Sequence, residues 1–152
     1  MDAFMTGQAN EKLINSVLIN LSRSFLQYLS ESSPWVRGEL AAVGRDLESL
    51  AASQRDDVRL LAELLDSREY SVDFGSFPTE YTDLQFLALQ SLMAGLIHSQ
   101  EGQIASLADA CSALEHSGDS AAAAAVESVR NHEQKLLQSL RELNQKFQPA
   151  AV

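Results

Sequence analysis

SVDFGSFPTEYTD, residues 71–83, interrupts an otherwise helical chain and decides how its helices are connected. The segment holds Gly75 and Pro78, and together with Tyr70 it carries the rings of Phe74, Phe77 and Tyr81. Flexible linkers are rich in Ser and Gly and poor in rings. This one reads as an ordered loop whose aromatics pack onto neighbouring helices. At roughly 15 residues it can run the length of a bundle, so the helices on either side of it are expected to be parallel.

On both sides the apolar residues repeat with the helical period. Ile14, Leu18, Leu21, Phe25 and Tyr28 form the stripe of a first helix, over about 9–31. Ser33 and Pro34 suit the cap and first turn of a second helix, about 35–67. Its stripe is Leu40, Val43, Leu47, Leu50, Gln54, Asp57, Leu61 and Leu64. Thr82 and Gln85 form a capping box for a third helix, about 83–116. That helix is striped by Phe86, Leu89, Met93, Leu96, Gln100, Ile104, Leu107, Cys111 and Leu114. Gly118 is expected to end it, and Asp119 or Ser120 to cap a fourth helix over about 119–147. The fourth stripe is Val126, Val129, Glu133, Leu136, Leu140, Leu143 and Phe147. No stretch carries a sustained strand pattern. The two short connections make antiparallel helix pairs. The expectation is one all-α domain spanning 1–152, a four-helix bundle of two antiparallel pairs joined by a long crossover at about 68–82.

Composition narrows the function classes. The chain has 152 residues and is 45% hydrophobic, enough for one domain with a core that needs no disulfide or metal. Eleven Lys and Arg against 21 Asp and Glu give a net charge of −10, which argues against nucleic acid and anionic membranes as partners. The opening MDAFMTGQANEK lacks the basic and apolar regions of a secretory signal, and no stretch approaches the roughly 20 apolar residues of a membrane span, so a cytoplasmic location is expected. Cys111, among Leu107, Ala110 and Leu114, reads as a buried, inert thiol.

Polar residues interrupt the stripes near the helix middles: Gln54 and Asp57 on the second helix, His98, Gln100 and Glu101 on the third, His132 and Glu133 on the fourth. In a bundle these fall at similar height. They read either as a hydrogen-bonded polar layer or as a metal site, whose candidate ligands are Asp57, His98, Glu101 and His132. Two-metal bundles need two Glu-x-x-His pairs and two further Glu. Gly95, Ala113 and Val129 stand three places before His98, His116 and His132, so the chain has no Glu-x-x-His. No serine sits in a G-x-S-x-G elbow and no Gly-rich phosphate loop is present. His98-Ser-Gln-Glu-Gly102 is similar to the H-x-x-K-G centre of histidine phosphotransfer domains, with Glu101 in place of the lysine.

From about residue 10 to 147 the chain resembles the ferritin-like superfamily, which includes bacterioferritin and rubrerythrin. FLQYLSESSPW (25–35) resembles the end of that family's first helix, QRDDVRLLAELL (54–65) its second, FLALQSLMAGLIHSQEGQI (86–104) its third and VRNHEQKLLQSLREL (129–143) the end of its fourth. By position the resemblance places Ser53 and Asp56 where the second helix carries ligands, Val129 in place of the fourth-helix Glu, and His132 at its His. It implies the family's fold, with the carboxylates for iron storage or oxidase chemistry largely missing. The expected function is a non-catalytic helical interaction or scaffold protein with no cofactor and no catalytic residue. The alternatives are a weak metal-binding or oxidative-stress protein and phosphotransfer through His98. Ile19, Leu26 and Trp35 appear surplus to one bundle interior, so a homodimer or another protein partner is expected.

Overall fold

The computed structural model describes residues 2–32, 38, 41–78, 81 and 88–147. Their helices are α1 (Asp2–Ser22), α2 (Phe25–Ser32), α3 (Ala41–Ser67), α4 (Leu89–His116) and α5 (Ser120–Gln145), with no strand among the described residues. The expected caps at Ser33, Pro34, Thr82 and Gln85 lie outside the described residues, as does Trp35.

The first stripe, read as one helix, is two helices. α1 stops at Ser22 and α2 starts at Phe25. Ser24 makes the break: its Oγ accepts from Gln27 N at 3.2 Å and its carbonyl accepts from Tyr28 N at 3.0 Å, so it caps α2. Hydrophobic periodicity carries across such a break, because the apolar face stays aligned. The turn between α4 and α5 follows expectation. Gly118 has φ +80°. Its N–H reaches the Glu115 carbonyl at 3.1 Å and Asp119 N reaches Leu114 at 3.0 Å, a Schellman ending. Asp119 then caps α5 through Ala122 N at 3.2 Å. The same carboxylate receives Arg68 through two bonds, at 2.6 and 2.9 Å, and Asn10 at 3.2 Å. This pins the start of α5 to the end of α3 and to α1.

Two apolar clusters fill the interior. One joins Ile14, Leu18 and Leu21 of α1 with Leu61 and Leu65 of α3, Leu107 and Leu114 of α4, and Val126 and Val129 of α5. The other joins Phe25, Leu26 and Leu29 of α2 with Val43 and Leu47, Leu89, Met93 and Leu96, and Leu140 and Leu143. The N-terminal halves of α3 and α4 therefore share one end and their C-terminal halves the other, so the two helices run the same way. α4 packs chiefly on α5 and α1 chiefly on α3.

The connecting segment follows one face of α1. Asn15 exchanges two hydrogen bonds with the Asp73 backbone, at 3.0 and 2.9 Å, and Arg23 Nε donates to the Phe74 and Gly75 carbonyls, each at 3.1 Å. Between them Ile19 lies under Gly75. Further on, Phe77 and Tyr81 close on Tyr28, with centroids 5.5 and 5.2 Å away, and Tyr81 stacks on Phe25 at 5.2 Å. Phe77 and Tyr81 pack as the composition predicts, whereas Phe74 is exposed. Of the residues read as surplus surface, Leu26 belongs to the core and Ile19 is under the loop.

Candidate functional site

The bundle centre, between the two apolar clusters, is polar. Gln54 of α3 is fully buried there. Its Oε1 accepts Ser24 Oγ at 2.7 Å and Gln27 Nε2 at 3.0 Å, and its Nε2 donates to Glu133 Oε1 at 2.8 Å. Gln100 Nε2 of α4 donates to the same Glu133 oxygen at 2.9 Å and to the Glu133 carbonyl at 3.0 Å. Gln27 also reaches the Ala51 carbonyl at 2.8 Å and receives Arg55 at 3.0 Å. The layer thus draws on the α1–α2 break and on every helix from α2 to α5. Buried polar atoms satisfied this fully fix helix register as well as adding stability.

Glu133 is the exception. It is fully buried, its Oε1 takes two amide donors, and its Oε2 meets no donor. A carboxylate oxygen of Asp57, one of Glu133 and a ring nitrogen of His132 lie within 4.8 Å of one another. Two carboxyls so close in a dry interior do not both ionise. Burial first, then Asp57, pushes Glu133 up to about 8, against the pull of the Gln100 and Gln54 amides. Asp57 is also raised, by burial, while its bond with Glu133 works the other way. Burial therefore favours the protonated form of Glu133, with an Asp57 carboxylate oxygen within 4.8 Å of it. Asp57 Oδ2 accepts His132 Nδ1–H at 2.7 Å, and His132 Nε2 meets Ser53 Oγ at 2.9 Å. A chain of polar contacts runs from the core amides through Glu133, Asp57 and His132 to Ser53 at the surface.

Of the four residues that the sequence marks as metal candidates, the structure brings Asp57 and His132 into direct contact. His98 and Glu101 are exposed on α4, and Glu101 pairs with Arg141 at 3.3 Å. Glu133 and Gln100, polar interruptions that the sequence places at the same height, take their places in the layer. The donor set does not fit a two-metal centre. Both His132 nitrogens are committed, Glu133 Oε1 faces two N–H groups, and Gln54 and Gln100 present protons to it rather than lone pairs. Ser24 and Gln27 were unreadable as layer residues, because they lie beside the helix break that periodicity hides.

Cys111 is buried, and burial raises its thiol, with Glu127 and Glu115 acting in the same direction. Its burial is what its sequence context predicts. No helix among the described residues is long and apolar enough to cross a membrane. No protein-family model, no curated protein and no solved structure matches the chain.

Proposed function

We propose that this chain is a ferritin-like four-helix bundle, two antiparallel pairs with a long crossover, that works as a helical protein-interaction or scaffold protein without a two-metal centre. One observation carries the reading. At the height where such bundles hold metal, Glu133 takes the Gln54 and Gln100 amides, at 2.8 and 2.9 Å, so hydrogen bonds do the job of tying the helices together. The shared direction of α3 and α4 and the loop clasped along α1 support the ferritin-like arrangement. A partner, a second copy of the chain included, would meet outer helix faces and leave the layer untouched.

Anaerobic titration with Fe(II), Mn(II) and Zn(II), then admission of oxygen to the iron-treated sample and sedimentation at micromolar concentration, tests this. The expected result is no stoichiometric metal uptake and an assembly state indifferent to metal. Two tightly bound ions per chain with oxygen-consuming iron oxidation would overturn the reading in favour of an oxidative-stress protein.

A further inference from the structure

Three side chains at the outer edge of the polar layer stand in a fixed order. Ser53 Oγ is 2.9 Å from His132 Nε2, and His132 Nδ1 is 2.7 Å from Asp57 Oδ2. Ser53 and Asp57 are one turn apart on α3, so both meet the same ring from α5. Asp57 is buried, whereas Ser53 and His132 are half-buried. An ionised Asp57 only accepts, so Nδ1 carries the imidazole proton and Nε2 keeps its lone pair for the Ser53 hydroxyl. Glu133 lies behind Asp57, with a carboxyl oxygen within 4.8 Å of it. This order of contacts is the one that polarises a nucleophilic serine, and it is recognised by geometry rather than by sequence position.

A cavity opens beside it in the same α3–α5 groove. Ser49 and Leu50, one turn before Ser53, line it together with Asp46, Ser139, Glu142 and Leu143; its volume is about 330 Å³, and Ser53 and His132 stand outside its walls. Leu50 and Leu143 make part of that wall apolar.

We propose that Ser53 is a nucleophile that takes an acyl group from an activated ester, with His132 as its base. The Ser53 proton passes to His132 Nε2 as the bond from Oγ to the ester carbonyl carbon forms. The carbon–oxygen bond to the leaving group then breaks, and the departing alkoxide takes the proton from Nε2. The products are acyl-Ser53 and an alcohol, and nothing is oxidised or reduced. Water deprotonated by the same nitrogen releases the carboxylic acid. Ser53 lies inside α3, whose N–H groups are used by the helix, so the oxyanion lacks backbone donors there. Each missing donor costs about 10²–10³ in rate. That lack slows acylation and release alike, and the activated leaving group offsets it in acylation only, so acyl-Ser53 accumulates. This inference goes beyond the interaction reading and does not depend on it.

The test uses the full chain and p-nitrophenyl butyrate at pH 7.5, with p-nitrophenolate release followed and the adduct located by peptide mapping. The expected result is a burst of about one equivalent, with butyryl on Ser53. Within the unmutated chain, Ser53 should be acylated at least about tenfold faster than the exposed Ser67 and Ser106. Ser53→Ala should remove the burst, and His132→Gln should slow it by about tenfold or more, with each variant's helicity checked by circular dichroism. Acylation of Ser53 no faster than of Ser67 and Ser106 overturns the proposal without recourse to any variant. A burst that survives Ser53→Ala overturns it as well.

Discussion

Glu133 and Asp57 bring two carboxyls within 4.8 Å where α5 meets α3, and burial favours the protonated form of Glu133. Its Oε2 is buried with no donor in reach, and burial with Asp57 beside it moves it up to about 8. Stability must then depend on pH in a particular direction. Glu133 binds its proton more tightly folded than unfolded, so its contribution is complete below the ordinary value of 4.5 and is lost as pH rises through about 8. The unfolding free energy from denaturant titrations should fall by up to about 5 kcal/mol in total across that window. Glu133→Gln keeps the acceptor for Gln54 and Gln100 and places an N–H toward Asp57. It should flatten the fall and leave the variant more stable than the parent above pH 8.

Gln54 is the hub of the layer, with three side-chain partners, Ser24, Gln27 and Glu133. Gln54→Ala opens a cavity and strips a donor from Glu133 and an acceptor from Ser24. Chemical denaturation should register a loss of about 2–4 kcal/mol.

These two expectations show what the sequence could and could not disclose. Leu18, Leu61, Leu107 and Val126 announce their burial by helical spacing alone, and Gln54, Asp57, Gln100 and Glu133 stand out because they fall on the same stripes. Pairings across the bundle are different in kind. Ser53 and His132, or Gln54 and Glu133, are 79 residues apart, and only the packing of α3 on α5 makes them neighbours. Asn15, which docks the crossover, sits outside the core stripe and reads as an ordinary surface amide. The break at Ser24 was hidden for the converse reason, since the apolar face continues through it.

Gly75 fixes the crossover to α1. Its φ is +68°, and a Cβ built there would lie 2.6 Å from Ile19 Cγ2. Gly75→Ala combines backbone strain with that clash and should destabilise by about 1–3 kcal/mol. Proteolysis within 71–78 should become faster in the same variant if the loop lifts from α1.

Glu69 presents the opposite opportunity. It ends α3 with φ +58°, exposed, in a position glycine occupies more easily. Tyr70 N reaches back to the Leu65 carbonyl at 3.0 Å, the bond that such an ending requires. Glu69→Gly should raise stability by about 0.5–1 kcal/mol in a thermal melt.

The central claim is that a proton-bearing hydrogen-bonded layer occupies the middle of this bundle. Carbon-13 NMR of the Glu133 side-chain carboxyl, followed from pH 4 to 10 with and without added Zn(II) and Fe(II), tests it most directly. The account predicts a carboxylic-acid signal at pH 6, a midpoint near 8 and no change on adding metal. A midpoint near the ordinary 4.5, or a signal that moves stoichiometrically with metal, would contradict it.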